Sequence, residues 1–288
     1  MRLLFLGTGA AEEVPSVWCA CAKCRRIREL GGRNRRRNAC AFLEPDVVID
    51  HPPTLTSQAW DAGVDLSAVR HLVFTHGHMD HFYPHLFRWR LGDGREEPQG
   101  GAPVVPRYGQ LPLLFVYGSE KLLDDVAASL RGSTPEALRM ALCPVRAGQS
   151  FAVGSYRFTA IPANHPVPGD VSFNYLIEDQ AGRALLYGLD GGTPPEEAWE
   201  LLEGRQLDAV ILDATTGFTG HGAASNHMSL HDVREVVARL RKIGALAPGS
   251  RVVLSHINAH HWPPHDEAAP RVEREGMILS YDGMWLEL

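Results

Sequence analysis

Thr75-His76-Gly77-His78-Met79-Asp80-His81 packs three imidazoles and a carboxylate into one short turn of a 288-residue chain. His76 and His78 are two apart and can point the same way from extended backbone, whereas Asp80 and His81 follow after a bend. One loop can therefore feed two metal ions if further ligands arrive from elsewhere, and such metals turn water into a nucleophile near neutral pH. This pattern reads as a hydrolase. The rival, a histidine-rich surface loop that picks up metal by accident, does not explain the interleaved aspartate. Just before the turn, His71-Leu72-Val73-Phe74-Thr75 looks like a short buried strand, and Pro84 beyond it suits a loop passing into a helix. The ligands are thus expected at a strand's C-terminal edge, where open α/β sheets place their sites.

Composition sets the outer limits. A hydrophobic content of 44% is ample for a buried core. A net charge of -6 argues against a protein whose whole surface attracts nucleic acid. No window approaches the roughly 18 uninterrupted apolar residues of a membrane span, and Met1 to Gly7 is too short for a secretory signal, so the default address is cytoplasmic. Arg33, Arg35, Arg36 and Arg37 form a local basic patch that fits a solvated loop as well as a phosphate contact. Three of the five cysteines, Cys19, Cys21 and Cys24, lie within six positions. That spacing suggests thiolate ligands for zinc, with a fourth ligand from a distant segment; a redox-active Cys-x-x-Cys pair is the alternative. Cys40 and Cys143 read as small buried hydrophobes.

Along the chain, the strand Leu3 to Leu6 runs into Gly7-Thr8-Gly9, where glycines would permit a sharp backbone exit. No third glycine or Gly-Lys-Ser/Thr follows, so this is no nucleotide loop. Strands are expected at Ala39 to Leu43 and Val47 to Asp50 as a hairpin, then at Leu113 to Tyr117, Ser150 to Val153 and Tyr156 to Ile161. Ser172 to Ile177 and Ala184 to Gly188 suggest a second hairpin, followed by strands at Ala209 to Leu212 and Arg251 to Leu254. Ile278 to Tyr281 turns at Asp282-Gly283 into Met284 to Glu287 as a final pair. Helices are expected at Pro53 to Ala62, Glu120 to Leu130, Pro135 to Ala141, Pro194 to Glu203 and Leu230 to Lys242, the last capped by Ser229. The Gly- and Pro-rich stretch 93–112 reads as a long loop, a lid or a disordered insertion. Clustered strands with helices between them imply an α/β fold of two sheets packed face to face under outer helices.

Three further residues stand out as metal ligands by context. His165 follows a strand between Pro162 and Pro166; Asp190 ends an apolar strand before Gly191-Gly192, which suits a bridging ligand; His256 follows the strand ending at Ser255. Each alone could be a hydrogen-bonded structural residue, but together they are worth more.

The set His76-x-His78-x-Asp80-His81, His165, Asp190 and His256, in that order, resembles the metallo-β-lactamase superfamily over nearly the whole chain. The resemblance implies one metallo-hydrolase domain over 1–288, an αββα sandwich of two packed mixed β-sheets flanked by helices. It implies two divalent ions, zinc or manganese: one on His76, His78 and His165, the other on Asp80, His81 and His256, with Asp190 bridging. Trp18-Cys19-Ala20-Cys21-Ala22-Lys23-Cys24, Arg35-Arg36-Arg37 and Leu86 to Asp93 resemble the PhnP type, phosphodiesterases that open a cyclic ribose phosphate. That likeness implies a structural zinc on Cys19, Cys21, Cys24 and His260, although His260 lies one position later than the type, which leaves His261 open as well. His227 resembles the family's general acid, with His221 a weaker competitor and Asp80 the other catalytic candidate; an imidazole near neutral pKa can protonate a departing alkoxide. The expected partner is a small phosphodiester, attacked by a hydroxide held between the metals; a homodimer is admitted. A transfer-RNA-processing nuclease and a non-hydrolytic relative of quinone-cofactor biosynthesis are the competing readings.

Overall fold

The computed structural model describes residues 1–90, 111–219 and 226–288. Most of the expected lid loop, and His221, lie outside the described residues.

Two sheets, each of seven strands among the described residues, form the body of the protein. The first takes its strands from the N-terminal half: β1 (Arg2–Gly7), β2 (Cys40–Leu43), β3 (Val47–Ile49), β4 (His71–Val73), β5 (Leu114–Gly118) and β6 (Met140–Pro144). The second runs through β7 (Ser150–Val153), β8 (Tyr156–Pro162), β9 (Phe173–Glu178), β10 (Ala184–Gly188), β11 (Leu207–Asp213), β12 (Leu246–Ser255) and β13 (Met277–Leu279). The last strand, β14 (Trp285–Glu287), returns to the first sheet beside β1. In both sheets a run of antiparallel hairpins changes to parallel pairing, at β3–β4 in the first and at β10–β11 in the second. Parallel strands end on the same side, so β10, β11 and β12 deliver their following loops to one rim, and packing of the two sheets brings the loop after β4 to the same rim.

The residues that alternate inward on each sheet, among them Phe5, Phe158, Tyr175, Tyr187 and Val253, fill the space between the sheets. Helices cover the outer faces. α1 (Ala22–Leu30) stands apart, α2 (Leu55–Ala62) and α3 (Glu120–Ser129) flank the first sheet, and α4 (Glu196–Leu202), α5 (Leu230–Lys242) and α6 (His265–Glu273) flank the second. α5 starts where expected, with Ser229 and Asp232 exchanging side-chain and backbone hydrogen bonds in a capping box.

Four readings of the sequence are corrected. The helix expected over Pro135 to Ala141 is a short turn, Glu136–Leu138, followed by β6. Pairing of Met140–Pro144 with the parallel edge of β5 decides this, and no local pattern reports a distant edge. The expected final pair is split, since β13 joins β12 and β14 joins β1, so one turn passes the chain between sheets. The arginine patch is solvated only in part, with Arg33 and Arg35 exposed. Arg36 is buried, donating to Thr8 Oγ1 at 2.7 Å and to the Ser280 carbonyl, with His265 Nδ1 at 2.9 Å, and Arg37 pairs with Asp61 at 2.8 Å. Cys143 is half-buried rather than buried. Helices α1 and α6 are additions to the expected set.

Gly7 and Gly9 serve close approach, not a turn, since neither has a positive φ. A Cβ on Gly7 would overlap the Asn38 carbonyl oxygen and Gln58 Nε2, and that amide is fixed by its 2.7 Å bond to the same carbonyl. Gly7→Ala is therefore expected to cost about 3 kcal/mol of stability, the upper range for overpacking, seen as a lower urea midpoint at unchanged slope. An unmoved midpoint would mean that the segment yields without loss.

Candidate metal centre

The rim gathers all seven of the expected ligands. β4 ends at Val73 and sends His76, His78, Asp80 and His81 over the sheet edge, while β8, β10 and β12 contribute His165, Asp190 and His256 from beyond their last residues. Ligand atoms of His76, His78, His165 and Asp190 lie within 4.8 Å of one another, and so do those of Asp80, His81, Asp190 and His256. Asp190 belongs to both groups. Its Oδ2 is 3.2 Å from His76 Nε2, 3.0 Å from His81 Nε2 and 3.6 Å from His256 Nε2. Its Oδ1 is 3.5 Å from His165 Nδ1 and 3.2 Å from His227 Nδ1.

Backbone strain marks the same places. Asp50, Asp190 and His256, each just past a strand end, have φ of 66°, 55° and 60°. A non-glycine residue in such a sparsely populated region costs on the order of 1–3 kcal/mol and persists only when its surroundings hold it.

The donor set fits divalent ions. His81 Nδ1 donates to Asp50 at 2.7 Å, and the Nδ1 atoms of His76 and His256 meet the hydroxyls of Thr75 at 3.0 Å and Thr215 at 2.8 Å. These outer partners engage Nδ1 and turn each Nε2 toward the centre, the arrangement that orients metal-bound imidazoles. His165 Nε2 and His78 Nδ1 converge to 2.8 Å. His76 Nε2 and Asp190 Oδ1 are buried and make no hydrogen bond among the described residues, as expected of atoms reserved for another ligand.

The electrostatics agree. Burial alone would strip His256 of its proton, but Asp190, Asp213 and Asp80 outweigh it and raise its pKa to about 10. Burial also opposes ionisation of Asp190, yet His256, His76 and His81 hold its pKa well below the usual carboxylate range. The carboxylates thus draw in whatever positive charge is at hand, and a divalent ion can replace those protons. His165, pulled down by burial to about 4, stays neutral with its lone pair available.

Two supporting carboxylates escaped the sequence reading. Asp50 accepts from Thr75 N, Thr75 Oγ1 and His81 Nδ1 at 2.7–3.0 Å. Asp213 accepts from Thr215 N and Met228 N, both at 3.0 Å, and its Oδ2 lies 3.1 Å from His227 Nδ1. Each ends an apolar strand, as Asp190 does, but neither has the paired glycines that mark Asp190. His227 sits where expected, beside the centre, with ring centroids 5.3 Å from His165 and 5.6 Å from His256.

The cysteine cluster lies on the flank. Sγ of Cys19, Cys21 and Cys24 and a ring nitrogen of His260 are within 4.8 Å of one another, with His260 Nε2 3.3 Å from Cys19 Sγ. His261 instead meets Thr219 Oγ1 at 2.6 Å, so His260 is the imidazole among the sulfurs. The Cys24 N–H and the Cys19 thiol lower the Cys21 pKa to about 6, which favours a thiolate.

A sheet sandwich with this rim defines a metal-dependent hydrolase. Residues 45–257 match the family model described as a Beta-lactamase superfamily domain, and the chain belongs to that superfamily. Solved structures share the fold. A diphosphatase of the PhnP family superposes with a TM-score of 0.69 at 23% identity, over 100% of this chain and 98% of that one. Zn(2+)-bound PqqB from Methylobacterium extorquens gives 0.70 at 17%, covering 100% of both chains. Human short-form tRNase Z gives 0.63 at 16%, over 100% of this chain and 99% of that one. No curated protein matches the sequence. Among the described residues no helix is long and apolar enough to cross a membrane.

Proposed function

We propose that the protein hydrolyses a small phosphodiester, that of a cyclic ribose phosphate or a cyclic nucleotide, at a centre of two divalent ions. His76, His78 and His165 would hold one ion, Asp80, His81 and His256 the other, and Asp190 both. Bound there, the ions would lower the proton affinity of water and neutralise the phosphate oxygens. The observation that carries the reading is the Asp213–His227 pair at the edge of the centre, at 3.1 Å. Ester cleavage needs a proton for the leaving alkoxide, whereas the thiolate of a thioester departs without one. Burial lowers the His227 proton affinity, but the hydrogen bond to Asp213 and the charges of Asp213 and Asp190 raise it overall. With its Nδ1 edge facing those carboxylates, the ring would deliver the Nε2 proton to the departing oxygen.

A net charge of -6 favours a small substrate over a nucleic acid. Metal-stripped protein given back manganese or zinc should hydrolyse bis(p-nitrophenyl) phosphate, 2′,3′-cyclic nucleotides and cyclic ribose phosphate. Preference for a transfer-RNA precursor, with binding weakened by salt, would replace this reading by the nuclease. Cys19, Cys21, Cys24 and His260 would hold a structural zinc. One tightly bound zinc per chain is expected to survive in Asp190→Ala and to vanish from Cys21→Ser, as measured by metal analysis after dialysis against a weak chelator.

A further inference from the structure

We infer that the cysteine cluster sets the affinity of one half of the metal centre, acting through the segment 256–260. The inference rests on the ligand assignment above. His256 and His260 stand four residues apart on one irregular stretch after β12, so a rim ligand and a cluster ligand share a single short tether. His256 has a left-handed φ of 60°, a strained conformation that needs its neighbours, residues 257–260 among them, to be held in place.

Three links hold them. Ile257 exchanges backbone hydrogen bonds with the 8–10 loop, to Thr8 O at 2.9 Å and from Ala10 N at 3.0 Å. Asn258 bridges outward, donating to Glu12 Oε2 at 3.0 Å and accepting from His260 N at 2.8 Å. Ala259 is buried with Val14, Cys24 and Ile27 in an apolar cluster separate from the three larger cores. The 10–24 loop is tied to the body by the Val14–Arg36 backbone pair and by Arg28 on the Ser16 and Cys19 carbonyls, and the cluster of sulfurs and imidazole is the link that joins it to His260. The His256 ring has its own restraint in Thr215, so losing that link should weaken the ligand without removing it. His76, His78 and His165 leave from β4 and β8 and share no tether with the cysteines.

Titration of the metal-stripped protein with zinc against a chromophoric chelator tests this. In Cys24→Ser, one of the two rim sites is expected to lose about 10- to 100-fold in affinity, the range for lost outer-shell support, while the other stays within about threefold. His260→Cys by itself, which keeps four ligands at the cluster, should leave both rim affinities within about threefold of the parent. Combining Cys24→Ser with His256→Ala should give no further loss, whereas with His165→Ala the loss should be full. Asn258→Ala, which leaves the cysteines intact, should show a smaller loss at the same site and serves if Cys24→Ser does not fold. Equal loss at both rim sites, no loss, or full further loss with His256→Ala would overturn the coupling while leaving three bound ions in the parent. A parent chain that binds no zinc at the cysteines would overturn the coupling and the cysteine ligand assignment together, and leave the rim assignment standing.

Discussion

Asp190→Ala is expected to reduce phosphodiester hydrolysis by on the order of 10⁴-fold or more, even at saturating metal. Asp190 is the one side chain common to both rim groups, and it faces His76, His81, His165, His227 and His256 within 3.0–3.6 Å. Removing it takes the central negative charge from a buried nest of imidazoles, so two cations held close together would lose the anion between them. The rim should then retain fewer than two ions after dialysis. Turnover near the parent value in an alanine variant with two ions at the rim would remove Asp190 from the bridging role. His78→Ala should abolish turnover as well, since His78 and His165 meet at 2.8 Å and neither can hold that position alone.

His227→Ala is expected to give a large effect whose size depends on the leaving group. For esters with alkoxide leaving groups the loss should be about 10²- to 10⁴-fold, the usual worth of a positioned acid. A p-nitrophenolate departs without a proton, so the same variant should lose far less on bis(p-nitrophenyl) phosphate. Asp213→Asn should reproduce the pattern, because Asp213 orients His227; it also lies 3.4 Å from His256 Nδ1, so some loss on both substrate kinds is expected. Equal loss across leaving groups in His227→Ala would assign His227 to binding or folding instead.

Much of the site is legible in the sequence because its residues stand at strand ends, and a strand end is a local signal. Apolar runs followed by a His between prolines, an Asp before paired glycines, or a His single out His165, Asp190 and His256 along the chain. Asp50 and Asp213 close similar runs without standing out, since a lone aspartate after a strand says nothing of the imidazole it will meet. The choice between His260 and His261 cannot be made along the chain. It is settled by where α1 carries Cys24 and by Thr219 approaching His261 from the loop after β11. Likewise β6 reads as helix because its strand character comes from the edge of β5, and Arg36 reads as solvent-facing because the His265 and Ser280 that enclose it are more than 200 residues away.

The order and type of the ligands, the alternation that makes two sheets, and the short turns between paired strands are properties of neighbouring residues, so the chain determined them by itself. Which imidazole nitrogen faces the centre, which carboxylate is shared, and which strands end on the same rim depend on atoms brought together from far apart in the sequence. Those were decided only in the folded protein, where parallel pairing aligns the ends of β10, β11 and β12, sheet packing sets the end of β4 beside them, and burial leaves each polar atom few partners to choose from.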